Sequence, residues 1–191
     1  NMVYGAAGAG ARAMTSSSSP GISLKQEGIS YMVGAELPAV IVNMVRGGPG
    51  LGSIQPAQSD YFQSTRGGGH GDYRTPTFVP ASIQEAVELT QRAFDVADQY
   101  RNPVIVMGDG MIGQMMEPVE MPDYKPRELP PKTWATTGWS EKMGIPRRII
   151  NSLYIQPDVL ERHVAHLMEK YAEIEKNECL VEEQFTDDAD I

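Results

Sequence analysis

Two uninterrupted apolar runs constrain this chain more than any other feature: Leu37-Pro-Ala-Val-Ile-Val-Asn43 and Asn102-Pro-Val-Ile-Val-Met-Gly108. A strand with one wet face alternates apolar with polar residues, whereas a strand covered on both faces reads as a continuous run. Such strands belong to a parallel sheet with helices on either side. Between the runs, Pro76-Thr-Phe-Val79 reads as a shorter strand, and Ser82-Ile-Gln-Glu85 has the form of a capping box. That box opens a helix with Ile83, Val87, Thr90, Phe94 and Ala97 on one face, ending near Tyr100. Strand and helix alternate, so the expected class is α/β, a parallel sheet flanked by helices with right-handed connections.

The opening residues 1–13 are rich in Gly and Ala and read as a helix packed closely on the sheet. They carry no N-terminal cap, so the chain is expected to be a piece of a longer one. Gly8-Ala-Gly-Ala-Arg-Ala13 fits a loose dinucleotide fingerprint, but that motif needs a strand before it and a helix after it. Residues 13–21 then give a short strand ending in hydroxyls. Ser18 or Ser19 is placed to cap a helix over Ile22 to Val33, with Pro20 in its first turn. Capping uses one serine and the run holds four, so it is either a polar ligand pocket or a serine-rich turn.

About 30 residues separate the first apolar run from Pro76, with at most one short helix expected, near Gln58 to Thr65. The connection starts with Arg46-Gly-Gly-Pro-Gly-Leu-Gly52 and ends with Gly67-Gly-Gly-His-Gly-Asp-Tyr-Arg74. Ligands of open α/β sheets bind beyond the carboxyl ends of the strands, which is where Arg46 falls. Its planar fork suits a carboxylate or phosphate, and glycines let backbone amides approach the same ligand. His70 adds a group that titrates near neutrality. The bland alternatives are an Arg46 paired with a nearby acid and glycines that serve turns alone. Between Arg46 and Arg74, three arginines and His70 meet only Asp60 and Asp72, in a chain of net charge −9.

That charge argues against non-specific nucleic-acid binding. No run approaches the ~20 apolar residues of a membrane span, and no signal-peptide pattern appears. One cysteine, Cys179, allows neither an internal disulfide nor an iron–sulfur cluster held by this chain alone, and fits a cytoplasmic location. The composition divides the chain at about residue 120. Residues 1–120 form the α/β domain. Residues 121–191 comprise an extended arm with prolines and two tryptophans, a helix from Pro157 striped by Leu160, Val164, Leu167, Tyr171 and Ile174, and an acidic linker from Glu178. The stripe needs a covering surface, so self-association or docking on another subunit is expected. His163 and His166 lack a visible third metal ligand and read as a solvated face; no metal site is expected.

Several long runs together carry a resemblance: residues 9–24, Arg46 to Gly52, Gln55-Pro-Ala-Gln-Ser-Asp60, Gly67 to Arg74, and Gly108-Asp-Gly-Met-Ile-Gly-Gln-Met-Met-Glu-Pro-Val119. They resemble the α subunit of 2-oxoacid:ferredoxin oxidoreductases, most of all the 3-methyl-2-oxobutanoate (2-ketoisovalerate) branch. The resemblance spans residues 1–119. It implies a thiamine-diphosphate-binding fold, here the pyrimidine-binding domain, in an enzyme that decarboxylates a 2-oxoacid and passes the acyl group to coenzyme A. It implies that a diphosphate-binding β subunit holds the diphosphate and Mg²⁺. Iron–sulfur clusters would sit on partner subunits only, among them ferredoxin-like and γ subunits, and deliver electrons to ferredoxin.

By the same resemblance, Arg46 lies beside the substrate carboxylate; Gly47, Gly48 and His70 are further candidate substrate-site residues, read from the two glycine clusters. Thr15, Ser16, Ser18 and Asp60 are the implied cofactor contacts. The family's activating glutamate and its Tyr-Pro-x-Thr-Pro motif have no counterpart in this sequence, so no catalytic residue is assigned and the isolated chain is expected to be inert. Two other readings stay open: a 2-oxoglutarate:ferredoxin oxidoreductase α subunit, and a non-catalytic module that binds a nucleotide or acyl carrier.

Overall fold

The computed structural model describes residues 1–125 and 127–181. Strands β1 (Met14–Ser17), β2 (Ala39–Val45), β3 (Thr77–Phe78) and β4 (Pro103–Asp109) form one sheet in the order β1-β2-β4-β3. Every pair is parallel. The two apolar runs are the central pair, in register from Ala39 opposite Pro103 to Val45 opposite Asp109. Alternation sorts their side chains between two cores. Ala39, Ile41, Val45, Ile105 and Met107 pack with Ile22, Ile29 and Val33, while Val40, Val104 and Val106 pack with Phe78, Ala93 and Val96.

Among the described residues six helices surround the sheet: α1 (Met2–Gly8), α2 (Pro20–Ser23), α3 (Gln26–Gly34), α4 (Tyr61–Thr65), α5 (Ile83–Tyr100) and α6 (Pro157–Glu178). The capping box is present in modified form. Ser82 Oγ accepts from Glu85 N at 3.1 Å, and Glu85 Oε2 accepts from Ala81 N at 2.8 Å rather than from Ser82. The buried face of α5 is Ala93, Val96 and Ala97 with Leu89 and Phe94 beside them, so of the stripe the periodicity suggested Phe94 and Ala97 reach the core, while Ile83, Val87 and Thr90 lie off the buried face. Asp95 and Asp98 are buried as well, because cations reach them: Arg12 at 2.6 and 2.9 Å, and Lys132 at 2.7 Å from Asp98.

The helix expected over Ile22 to Val33 is two helices, broken at Leu24-Lys25. Ser19 takes the N-cap position without a side-chain cap bond, at φ 52°. The cause is local packing. Gly21 presses on Ser17 so closely that a Cβ there would meet Ser17 Oγ at 2.1 Å. Lys25 then turns back to β1, donating to Thr15 Oγ1 at 2.8 Å and Ser16 O at 2.7 Å. Gly8 to Ala13 lead from a helix into a strand, the reverse of a dinucleotide loop, with Gly10 at φ 90°.

Among its described residues the proline–tryptophan segment has no named helix or strand and makes contacts with the preceding domain. Thr136 N donates to Gly8 O at 2.9 Å, Lys132 Nζ donates to Gly10 O at 3.1 Å, and Arg101 stacks over Trp134 at 4.7 Å. The stripe of α6 divides. Leu167, Tyr171 and Ile174 join the core that holds Ile41 and Ile105, so the chain itself covers them, whereas Leu160 and Val164 remain exposed. Glu178, expected to open the acidic linker, is instead buried at the end of α6, paired with Arg92 at 2.9 Å and Arg127 at 2.6 Å. Residues 182–191 of that linker lie outside the described residues.

Candidate functional site

β1, β2 and β4 end side by side, which brings the serine run, Arg46 and Asp109 to one edge of the sheet. Arg46 follows the last residue of β2. Its Nη1 donates to Ser53 O at 3.1 Å, and among the described residues no carboxylate lies within 4.0 Å of the guanidinium. The acid-paired alternative is therefore not what the fold builds. Asp109 is occupied locally, its Oδ1 accepting from Met111 N at 2.9 Å and Ile112 N at 3.0 Å.

The first glycine cluster folds into a small flap hinged on Arg46. Gly47 N donates to Gln55 O at 3.0 Å, Ser53 N donates to Gly47 O at 2.7 Å, and Arg46 bridges Pro56. Gly52 closes it at φ +57°, where a Cβ would sit 1.8 Å from Gly47 O, so only glycine fits. A Cβ on Gly48 would meet open space. At its return the flap lies over the end of β4, with Pro56 Cα 3.6 Å from a Cβ built on Gly110.

Past the flap, α4 is tied down by a buried polar cluster that the sequence did not single out. Asn43, 1% exposed on β2, points Nδ2 at Ser64 Oγ across 3.5 Å. Ser64 O accepts from the hydroxyls of Thr75 and Thr77. The available signal was a lone polar residue at the end of an apolar run. Asp60 sits at the N-cap of α4 but makes no side-chain cap bond.

The second glycine cluster serves packing. Cβ atoms on Gly68 and Gly69 would meet Gln26 at 2.8 and 2.6 Å. Tyr73 Oη accepts from Gly69 N at 3.2 Å and donates to Gln26 Oε1 at 3.1 Å. Burial pushes the pKa of Tyr73 up, so this phenol stays protonated as a donor. Ser30 Oγ donates to His70 O at 2.5 Å, and His70 lines a cavity of about 840 Å³ with Tyr31, Tyr154 and His163. Arg46 does not line that cavity, so the fold draws Arg46 and His70 to different surroundings. Of the implied cofactor contacts, Thr15 Oγ1 and Ser16 O are held by Lys25, whose own pKa burial lowers. Ser18 and Ser19 pair their hydroxyls at 3.1 Å.

A four-stranded parallel sheet, helices on both faces and a polar, arginine-bearing carboxyl edge define the class: an α/β domain of the thiamine-diphosphate-binding fold. Residues 1–183 match the family described as pyruvate flavodoxin/ferredoxin oxidoreductase, thiamine diphosphate-binding, and the chain belongs to that family. It is 53% identical, over all of its own 191 residues and 53% of the relative, to "Ketoisovalerate oxidoreductase subunit VorB" of Methanothermobacter thermautotrophicus. It is 47% identical over 122 residues, 63% of this chain and 32% of the relative, to "2-oxoglutarate synthase subunit KorA" of the same organism. The chain thus spans about half the length, or less, of these relatives. Among solved structures, a 2-oxoglutarate:ferredoxin oxidoreductase from Magnetococcus marinus, with 2-oxoglutarate, coenzyme A and succinyl-CoA bound, shares the fold. Its TM-score is 0.72 at 24% identity, covering 92% of this chain and 35% of that one.

Proposed function

We propose that this chain supplies the pyrimidine side of a thiamine diphosphate site in a multi-subunit 2-oxoacid:ferredoxin oxidoreductase, and that Arg46 receives the carboxylate of the oxoacid. The observation that carries the reading is the state of Arg46: at the carboxyl end of the central strand, with a carbonyl for a partner and no acid nearby among the described residues. A guanidinium so placed keeps most of its five N–H donors for an incoming anion. The hydroxyls of Ser18 and Ser19, bonded to each other, retain capacity for a polar heterocycle, which fits a pyrimidine ring.

When bound, thiamine diphosphate supplies the carbon nucleophile and the electron sink for decarboxylation. This chain's residues would bind and orient: Arg46 fixes the carboxylate, the glycine flap covers it, and the serine run lines the ring. The diphosphate with its Mg²⁺, the iron–sulfur clusters and the docking of ferredoxin are assigned to partner subunits, with coenzyme A as acyl acceptor. The proposed substrate is 3-methyl-2-oxobutanoate, supported by the 53% identity that runs the whole chain, against 47% over 122 residues for the 2-oxoglutarate relative. A cytoplasmic location belongs to the proposal and rests on the single cysteine. No helix of the described residues is long and apolar enough to cross a membrane.

The test uses the complete enzyme. Truncating one member of a buried charge pair typically costs ~2–5 kcal/mol. Arg46→Ala should therefore lower kcat/KM for the oxoacid by about 30- to 3,000-fold. Arg46→Lys keeps the charge but loses the fork and should mainly raise KM. Thiamine diphosphate affinity and melting temperature should stay near wild type. Unchanged oxoacid kinetics in Arg46→Ala would sink the reading, and an assembly that reduces no ferredoxin with any oxoacid would favour a non-catalytic module.

A further inference from the structure

The flap that Arg46 holds carries two large aliphatic side chains in the open. Leu51 is 79% exposed and Ile54 78%, although both sit in a segment fixed by four main-chain and side-chain hydrogen bonds. Ile54 lies between Ser53, whose carbonyl Arg46 grips, and Gln55, whose carbonyl takes the Gly47 amide. Apolar side chains held out on a hydrogen-bonded loop offer area that a ligand can cover. From Gly47 to Ser59 the sequence has no charged residue, and the next one, Asp60, is an acid.

We infer that Leu51 and Ile54 are specificity-determining residues, closing over the hydrocarbon end of a 2-oxoacid whose carboxylate is held by Arg46 and selecting an apolar branched substrate over a dicarboxylate. The inference rests on the substrate reading of Arg46 given above. The geometry supplies the coupling: one arginine holds the flap through Nη1 and keeps other N–H groups for the anion, so the flap and the carboxylate share an anchor. A branched aliphatic tail gains by leaving water against Leu51 and Ile54. A second carboxylate would meet no cation on the flap and would lose hydration without a partner.

The experiment compares kcat/KM of the complete enzyme for 3-methyl-2-oxobutanoate, pyruvate and 2-oxoglutarate. A methylene-sized contact in an apolar pocket is worth ~10-fold or more in discrimination. The doubly substituted Leu51→Ala, Ile54→Ala enzyme is expected to lose about tenfold or more on the branched substrate and less than about twofold on pyruvate. Ile54→Lys is expected to raise the 2-oxoglutarate rate relative to the branched one. Both side chains are exposed, so melting temperatures should match wild type. Equal loss on all three substrates, or no change in the ratio for either variant, overturns the inference while leaving Arg46 as the carboxylate site. A wild-type enzyme that accepts none of the three overturns the substrate reading itself.

Discussion

Lys170 Nζ lies 3.1 Å from Glu36 Oε2, joining residues 134 positions apart. The same carboxylate pairs with His166 Nε2 at 3.1 Å, and Lys170 also donates to Arg101 O at 3.3 Å. Lys170 is only 7% exposed, so α6 is fixed to the end of α3 by a charge pair largely withdrawn from water. Removing one partner of such a pair typically costs ~3–5 kcal/mol, because the other charge is left buried alone. At ~2–4 °C per kcal/mol for a chain of this size, Lys170→Ala should lower the melting temperature by roughly 6–20 °C. Replacing both partners, Lys170→Met with Glu36→Leu, should recover much of that loss. A double variant no more stable than Lys170→Ala would contradict the pairing account.

Acid should weaken the same joint in two stages. Burial pushes the pKa of His163 below its ordinary 6.5, against the favourable field of Glu36 and with His166 and Lys170 adding to the depression. The unfolded chain then binds a proton that the folded chain refuses, so stability falls as pH drops below about 6.5. Burial alone would raise the carboxyl of Glu36, but Lys170 and His166 more than offset it and hold it below 4.5. Its contribution is present above that value and lost as pH falls through the lowered pKa. Melting temperature against pH should show both limbs, and His163→Gln should remove the upper one. A flat profile from pH 7 to 5 would rule out the histidine's part.

The flap offers a graded series. Gly52→Ala puts a Cβ 1.8 Å from Gly47 O at φ +57°, whereas Gly50→Ala, at φ +69°, meets nothing within 4 Å. Both are strained, yet only the first forces the flap open. In the complete enzyme, Gly52→Ala should reduce oxoacid kcat/KM at least tenfold more than Gly50→Ala, with small changes in melting temperature because the loop is exposed. Equal effects would show that flap closure does not matter to turnover.

Tyr73→Phe tests the second glycine cluster as a packing device. The phenol joins Gly69 N to Gln26 Oε1, and its loss leaves the buried Gln26 acceptor and a part-buried Gly69 donor without this partner. The expected cost is about 1–3 kcal/mol, or roughly 2–12 °C in melting temperature. Steady-state affinity for the oxoacid should not move. A Tyr73→Phe enzyme with normal stability and altered KM would reassign this loop to the substrate site.

The central pair of strands was legible because burial on both faces demands continuous apolar residues, a signal that lies within seven consecutive positions. Arg46 was legible for the same local reason: a cation directly after a buried strand marks the sheet's carboxyl edge. The start of α5 was legible from a motif four residues long. What the sequence left open depends on groups far apart in the chain. The break between α2 and α3 follows from Gly21 meeting Ser17 and Lys25 reaching Thr15. The burial of Glu178 needs Arg92 and Arg127, and the covering of α6 needs Glu36. Two glycine clusters look alike as strings; one makes a flap on Arg46 and the other a tight seam on Gln26, because only the tertiary structure decides what stands opposite each missing Cβ. Local patterning determined which segments are buried, and the long-range pairing of charges and amides determined where the loops, arm and last helix came to rest.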